Sequence, residues 1–149
     1  MAAVRRYAEG TAVTVQSSRG EITGILAKHG VERMGWTSEP GGDSLVFDLH
    51  GGTYRLTMTK PTPEGLAARD GGQYSYPQNV DWQAKAEAEW RRVWRANVLL
   101  LKAKLEFIDS GDTTIDRELL PYRVMKGGQT VEELLRGGGL PLLAAGRVS

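Results

Sequence analysis

The chain has 149 residues, 40% of them hydrophobic and 25% charged, which suffices for one globular domain with its own core. A formal charge of +1 and a pI near 8.0 exclude a histone-like polycation and an acidic mimic of DNA, so any contact with nucleic acid must come from local clustering of charge. The lack of cysteine removes disulfides, thiol catalysis and cysteine-based zinc sites. No apolar run approaches the ~18 residues of a membrane helix, and the amino-terminal stretch has no apolar segment of signal-peptide length, so a soluble, cytoplasmic protein is expected.

In chain order, Met1 to Gly10 is a short basic lead-in and Thr11 to Gln16 reads as a brief strand. Ser18 followed by Glu21 fits a capping box, with Ile22, Ile25, Leu26 and His29 at helical spacing and Gly30 as terminator. Val31 to Thr37 follows as a strand, then a turn over Ser38 to Asp43, a strand from Ser44 to His50, a tight turn at Gly51 and Gly52, and a strand from Thr53 to Thr59. That turn predicts a register pairing His50 with Thr53, Leu49 with Tyr54, Asp48 with Arg55, Phe47 with Leu56, Val46 with Thr57 and Leu45 with Met58. One face becomes wholly apolar (Leu45, Phe47, Leu49, Tyr54, Leu56, Met58), and the other carries Asp48, His50, Arg55, Thr57 and Thr59.

Pro61 and Pro63 end the strand pattern, and Glu64 to Asn79 reads as a long loop, either a tether or an arm carrying Tyr74, Tyr76 and Arg69. Asp81 to Asp109 is an uninterrupted helical pattern of about 42 Å, longer than a domain of this size covers on all sides. Its core stripe is Trp90, Val93, Trp94, Asn97, Leu101, Leu105 and Ile108, and Asn97 at the centre is expected to be buried and hydrogen-bonded. Leu100 and Phe107 form a second apolar edge next to Val93, so these three are the expected interface. Arg91, Arg95 and Lys102, with Arg92 beside them, make a cationic strip that is either a solvated face or a contact for phosphates, with Tyr74, Tyr76 and Trp82 available to stack on bases.

After the rod, Gly111 stops the helix and Thr113 to Leu120 starts a short one. Tyr122 to Met125 reads as a strand before the turn at Lys126, Gly127 and Gly128, and Thr130 with Glu133 caps a last helix, Val131 to Arg136. Residues 1–136 form a single α+β domain, a three-stranded antiparallel sheet packed against one long helix with shorter flanking helices. Residues 137–149 are a flexible or partner-packed tail.

No catalytic residues emerge. The two histidines, His29 and His50, lie in different elements and in no zinc-ligand spacing, so neither a metal nor a cofactor is expected. Asp109, Asp112, Asp116 and Glu118 cluster as a two-metal nuclease would require, but turn and cap duty accounts for them better. The glycine pairs are turns, since none precedes a helix with the lysine and hydroxyl residue of a phosphate loop.

Tyr7 to Thr11 before a helix, the glycine-bounded hairpin, Trp90-Arg91 leading into Leu101 to Glu106, and Gly128 to Val131 before the last helix resemble a family of small uncharacterised proteins encoded by bacteriophages, prophages and bacterial genomes. The aspartate-glycine turn usual near the end of that family is here Lys126-Gly127-Gly128. The resemblance implies a mobile-element context. In topology alone the arrangement is also similar to the core of single-strand annealing recombination proteins, an analogy of fold that carries no function by itself. The sequence thus leads to a non-enzymatic nucleic-acid-binding accessory protein, a single-strand binder or annealer that forms a homo-oligomer. The alternative is a protein-interaction module, such as a phage-encoded inhibitor or adaptor docking on a host or defence complex.

Overall fold

A computed structural model describes residues 5–73 and 79–138. Five helices and three strands follow in the order α1 (Val15–Lys28), β1 (Met34–Glu39), β2 (Gly42–Leu49), β3 (Gly52–Thr59), α2 (Pro63–Asp70), α3 (Trp82–Ser110), α4 (Ile115–Leu119) and α5 (Val131–Arg136). The strands form one antiparallel sheet in the order β1-β2-β3, so the α+β architecture expected from the sequence is present. Among the described residues no helix is long and apolar enough to cross a membrane.

The alternation in β2 and β3 buries Leu45, Phe47, Leu49, Tyr54, Leu56 and Met58, the whole apolar face read from the sequence. Against it lie Ile22 and Leu26 of α1 and Trp94, Val98, Leu101 and Leu105 of α3, which together make one continuous core. Trp36 and Trp94 meet at 5.3 Å between ring centroids, and the Arg19 guanidinium sits over both rings.

The hairpin register differs from the expected one by two residues. The turn is His50-Gly51, both with positive φ (45° and 80°), the geometry of a type I′ turn. Leu49 therefore pairs with Gly52, Asp48 with Thr53, Phe47 with Tyr54 and Val46 with Arg55. Gly52 opens β3 opposite Leu49, and only glycine fits there, since a Cβ would lie 2.8 Å from the Tyr54 hydroxyl. A shift of two leaves every side chain on its original face, which is why the apolar face is unchanged. Asp48 and Arg55 do not oppose each other: Asp48 accepts from the Thr53 hydroxyl at 2.7 Å, and Arg55 makes a two-pronged contact with Glu133 at 2.9 Å. His50 sits in the turn rather than on the outer strand face.

Four other local expectations need correction. Thr11 to Gln16 is not a strand, since α1 begins at Val15 and the Thr14 hydroxyl accepts the Ser17 amide at 3.1 Å. Ser18 is no cap; it is fully buried inside α1. The segment from Glu64 is not a loop throughout, because Thr62 caps α2 and Pro63 occupies its first turn, where a missing amide hydrogen costs nothing. Tyr122 to Met125 forms isolated bridges in place of a strand: the Val124 amide donates to Thr53 at 2.8 Å, so this segment lies along the free edge of β3. The capping box of Thr130 and Glu133 opens α5 as expected.

Candidate functional site

Asp81 accepts the Ala84 amide at 3.0 Å to open α3, and Gly111, with φ of 82°, closes it, so the helix runs unbroken for 29 residues. Its core face is Ala86, Trp94, Val98, Leu101 and Leu105, with Trp90, Val93 and Ile108 half-buried at its margins. Asn97 lies beside this face rather than at its centre. It is half-buried, and its Nδ2 donates to the Val93 carbonyl one turn back at 2.8 Å, so it serves its own helix and not the sheet.

The cationic strip is divided. Arg92 pairs with Glu89 at 2.9 Å and donates to the Tyr7 carbonyl at 3.1 Å. Glu89 in turn gathers Arg6 at 3.9 Å and Arg69 at 3.8 Å, while Asp70 holds both of those guanidiniums. The Arg69 guanidinium beside Asp70 keeps that carboxyl below the usual carboxylate range. Arg95 forms an ion pair with Glu21 of α1. Arg91 and Lys102 have no ion partner among the described residues. Arg91 borders a groove of about 550 Å³ shared with Trp90, Pro61 and Pro63, but Glu64 and Glu87 border it too, so the groove has no single sign of charge. Trp82 is half-buried, its ring beside Gly71. Tyr74 and Tyr76 lie outside the described residues.

The apolar edge is the open part of the helix. Leu100 is 45% exposed and Phe107 57% exposed, while Val93 is half-buried against the core. Ala96 and Ala103 lie in the same stripe, and with Leu99, Leu100 and the 66% exposed Tyr7 they line a shallow depression of about 350 Å³. On the other flank of Leu100 a smaller cleft is lined by Asn97, Lys104, Leu119 and Tyr122. Leu100 therefore stands as a knob between two hollows. Toward the amino-terminal end the same face is covered by the network of Arg6, Arg69, Asp70, Glu89 and Arg92, which ends the stripe at Val93.

The acidic residues after the rod are separately engaged. Asp109 Oδ2 lies 2.5 Å from Nδ1 of the buried His29, tying the end of α3 to the end of α1. Asp112 accepts from the Ser110 hydroxyl, Asp116 faces Arg123 at 3.8 Å, and Glu118 holds Lys104 at 3.1 Å. Asp112 in the turn and Asp116 and Glu118 in the first turn of α4 keep the turn and cap places expected of them while also holding these side chains, and among the described residues no three acidic or histidine side chains are grouped so as to hold a metal ion.

The sequence reading named Val93, Leu100 and Phe107 but missed the alanines between them, which carry no hydrophobic signal of their own. Glu89, three residues before Arg92, is a neutralising partner visible in the helical spacing, whereas Glu21 as the partner of Arg95 is not. Glu21 is 74 residues from Arg95, a separation that no local pattern encodes. No protein-family model, curated protein or solved structure matches the chain.

Proposed function

We propose that this protein is a non-enzymatic protein-interaction module that docks its partner on the apolar stripe of α3. The observation that carries the reading is the stripe itself: Leu100 and Phe107 stand out from the longest helix, flanked by Ala96 and Ala103, while the neighbouring cations Arg92 and Arg95 are held by carboxylates. Burying one such large apolar side chain is worth roughly 1.5–3 kcal/mol, so a partner covering two of them gains a usable share of its affinity there. An adaptor or inhibitor of a phage or related element is the setting we favour, on the family resemblance alone. A second reading, single-strand binding, draws support from Arg91 and Lys102, which remain open to phosphates, and from Trp82 as a stacking surface.

A photoreactive phenylalanine placed at Phe107 or at Lys102, irradiated in the cell extract, separates the two. The module reading expects adducts at position 107 that protease destroys and nuclease does not. Nuclease-sensitive adducts at position 102, with none at 107, would replace it by the nucleic-acid reading.

A further inference from the structure

Val93, Leu100 and Phe107 recur every seven residues, with Ala96 and Ala103 falling between them at the complementary positions of the same heptad. A seven-residue apolar repeat suits a helix that lies along another helix, since it keeps one seam facing the partner over several turns. The sizes along the seam then restrict the partner. If two copies of α3 ran parallel, Leu100 would meet Leu100, Phe107 would meet Phe107, and the alanine layers would be left as gaps. Run antiparallel, Leu100 faces Ala103 and Phe107 faces Ala96, twice over by symmetry, so each large side chain enters the space over a small one.

Charge does not choose the direction, because Arg92, Arg95, Glu106 and Asp109 beside the seam are already held within the chain by Glu89, Glu21, Lys28 and His29; the alternation of large and small side chains does. The depression bordered by Tyr7, Ala96, Leu99 and Ala103 offers a hollow for an incoming side chain.

We infer that the occupant of the stripe is a second copy of this chain, its α3 antiparallel and packed through Leu100, Phe107, Ala96 and Ala103. This rests on the reading of α3 as a docking face. The chain has no cysteine, so thiols introduced one at a time report the pairing without background. In the antiparallel seam two Ala103 positions lie next to the symmetry axis, offset by about 4.5 Å along the helices, while two Ala96 positions are offset by about 16.5 Å. With a short bis-maleimide, Ala103→Cys is expected to yield covalent dimer at least about tenfold more than Ala96→Cys, a contrast set by those spacings. Leu100→Asp in the full chain is expected to raise the dissociation constant about 30-fold, as loss of a central apolar contact does.

Equal yields from the two cysteine variants would mean a parallel seam and overturn the inference. A species that stays monomeric at millimolar concentration, with no covalent dimer from either variant, would remove the second copy as occupant. Persisting protein adducts at position 107 would then leave the docking reading standing with another partner, and their absence would end both.

Discussion

Ser18 is enclosed within α1, and its hydroxyl has no hydrogen-bond partner among the described residues. A buried hydroxyl without a partner keeps the desolvation penalty and gains nothing in return, so Ser18→Ala is expected to raise stability by about 1 kcal/mol in urea unfolding. A loss of similar size would mean that the hydroxyl is satisfied in solution. Asn97 is a second informative position. Its amide serves only the Val93 carbonyl of its own helix, which already accepts from the backbone, and leucine has the better helix propensity. Asn97→Leu should therefore raise the unfolding free energy by about 0.5 kcal/mol, read from the shift of the urea midpoint. Destabilisation by more than about 1 kcal/mol would assign the amide a tertiary role that its hydrogen bond does not indicate.

At the scale of elements, α1 and α3 are joined at their carboxy-terminal ends by His29, whose side chain is only 2% exposed, and by Lys28 with Glu106 at 3.1 Å. Removing the carboxylate from His29 leaves a buried ring nitrogen without its partner. Asp109→Ala is expected to cost about 1–3 kcal/mol and to speed amide exchange in the last turn of α1 ahead of the sheet. Uniform exchange through both elements would argue against a local latch. Much of this architecture was legible in the sequence because its signals are local and periodic: the span of α3 between Asp81 and Gly111, the alternation in β2 and β3, and the capping box at Thr130. The hairpin faces survived a mistaken register because parity, not exact pairing, decides burial. What escaped had competing or distant causes. Thr62-Pro63 reads equally as a strand breaker and as a helix start, Thr14 competed with Ser18 for the cap of α1, and the partner of Arg95 depends on how α1 packs on α3.

For the molecule as a whole, the ion pairs join elements that the core alone would hold less firmly: Arg55 with Glu133 fixes α5 to β3, Lys104 with Glu118 fixes α4 to α3, and Arg6 with Asp70 fixes the amino-terminal segment to α2. Arg55 holds the Glu133 carboxyl below its ordinary range, Lys104 does the same for Glu118, Lys28 for Glu106 and Arg69 for Asp70. Each group is therefore ionised more readily folded than unfolded. The stability it contributes is fully present above the ordinary carboxylate range and is lost as pH falls through the lowered folded value. Burial raises the Tyr54 phenol, so its contribution is present below the ordinary phenol range and is lost as pH rises through the raised value. Urea midpoints should thus be level near neutrality and decline first on the acid side of the carboxylate range. A stability that increased on acidification through that range would contradict the assignment.

The apolar stripe of α3, and not the cationic strip, is the proposed working surface. Sedimentation equilibrium of the unaltered chain beside Leu100→Asp/Phe107→Asp and Arg91→Glu/Lys102→Glu tests it most directly. All four positions are at least partly exposed, so both double variants should fold, as circular dichroism would verify. Self-association of the unaltered chain is expected to be abolished in the stripe variant and retained in the charge variant. Association that survives loss of Leu100 and Phe107 but disappears on charge reversal would contradict it.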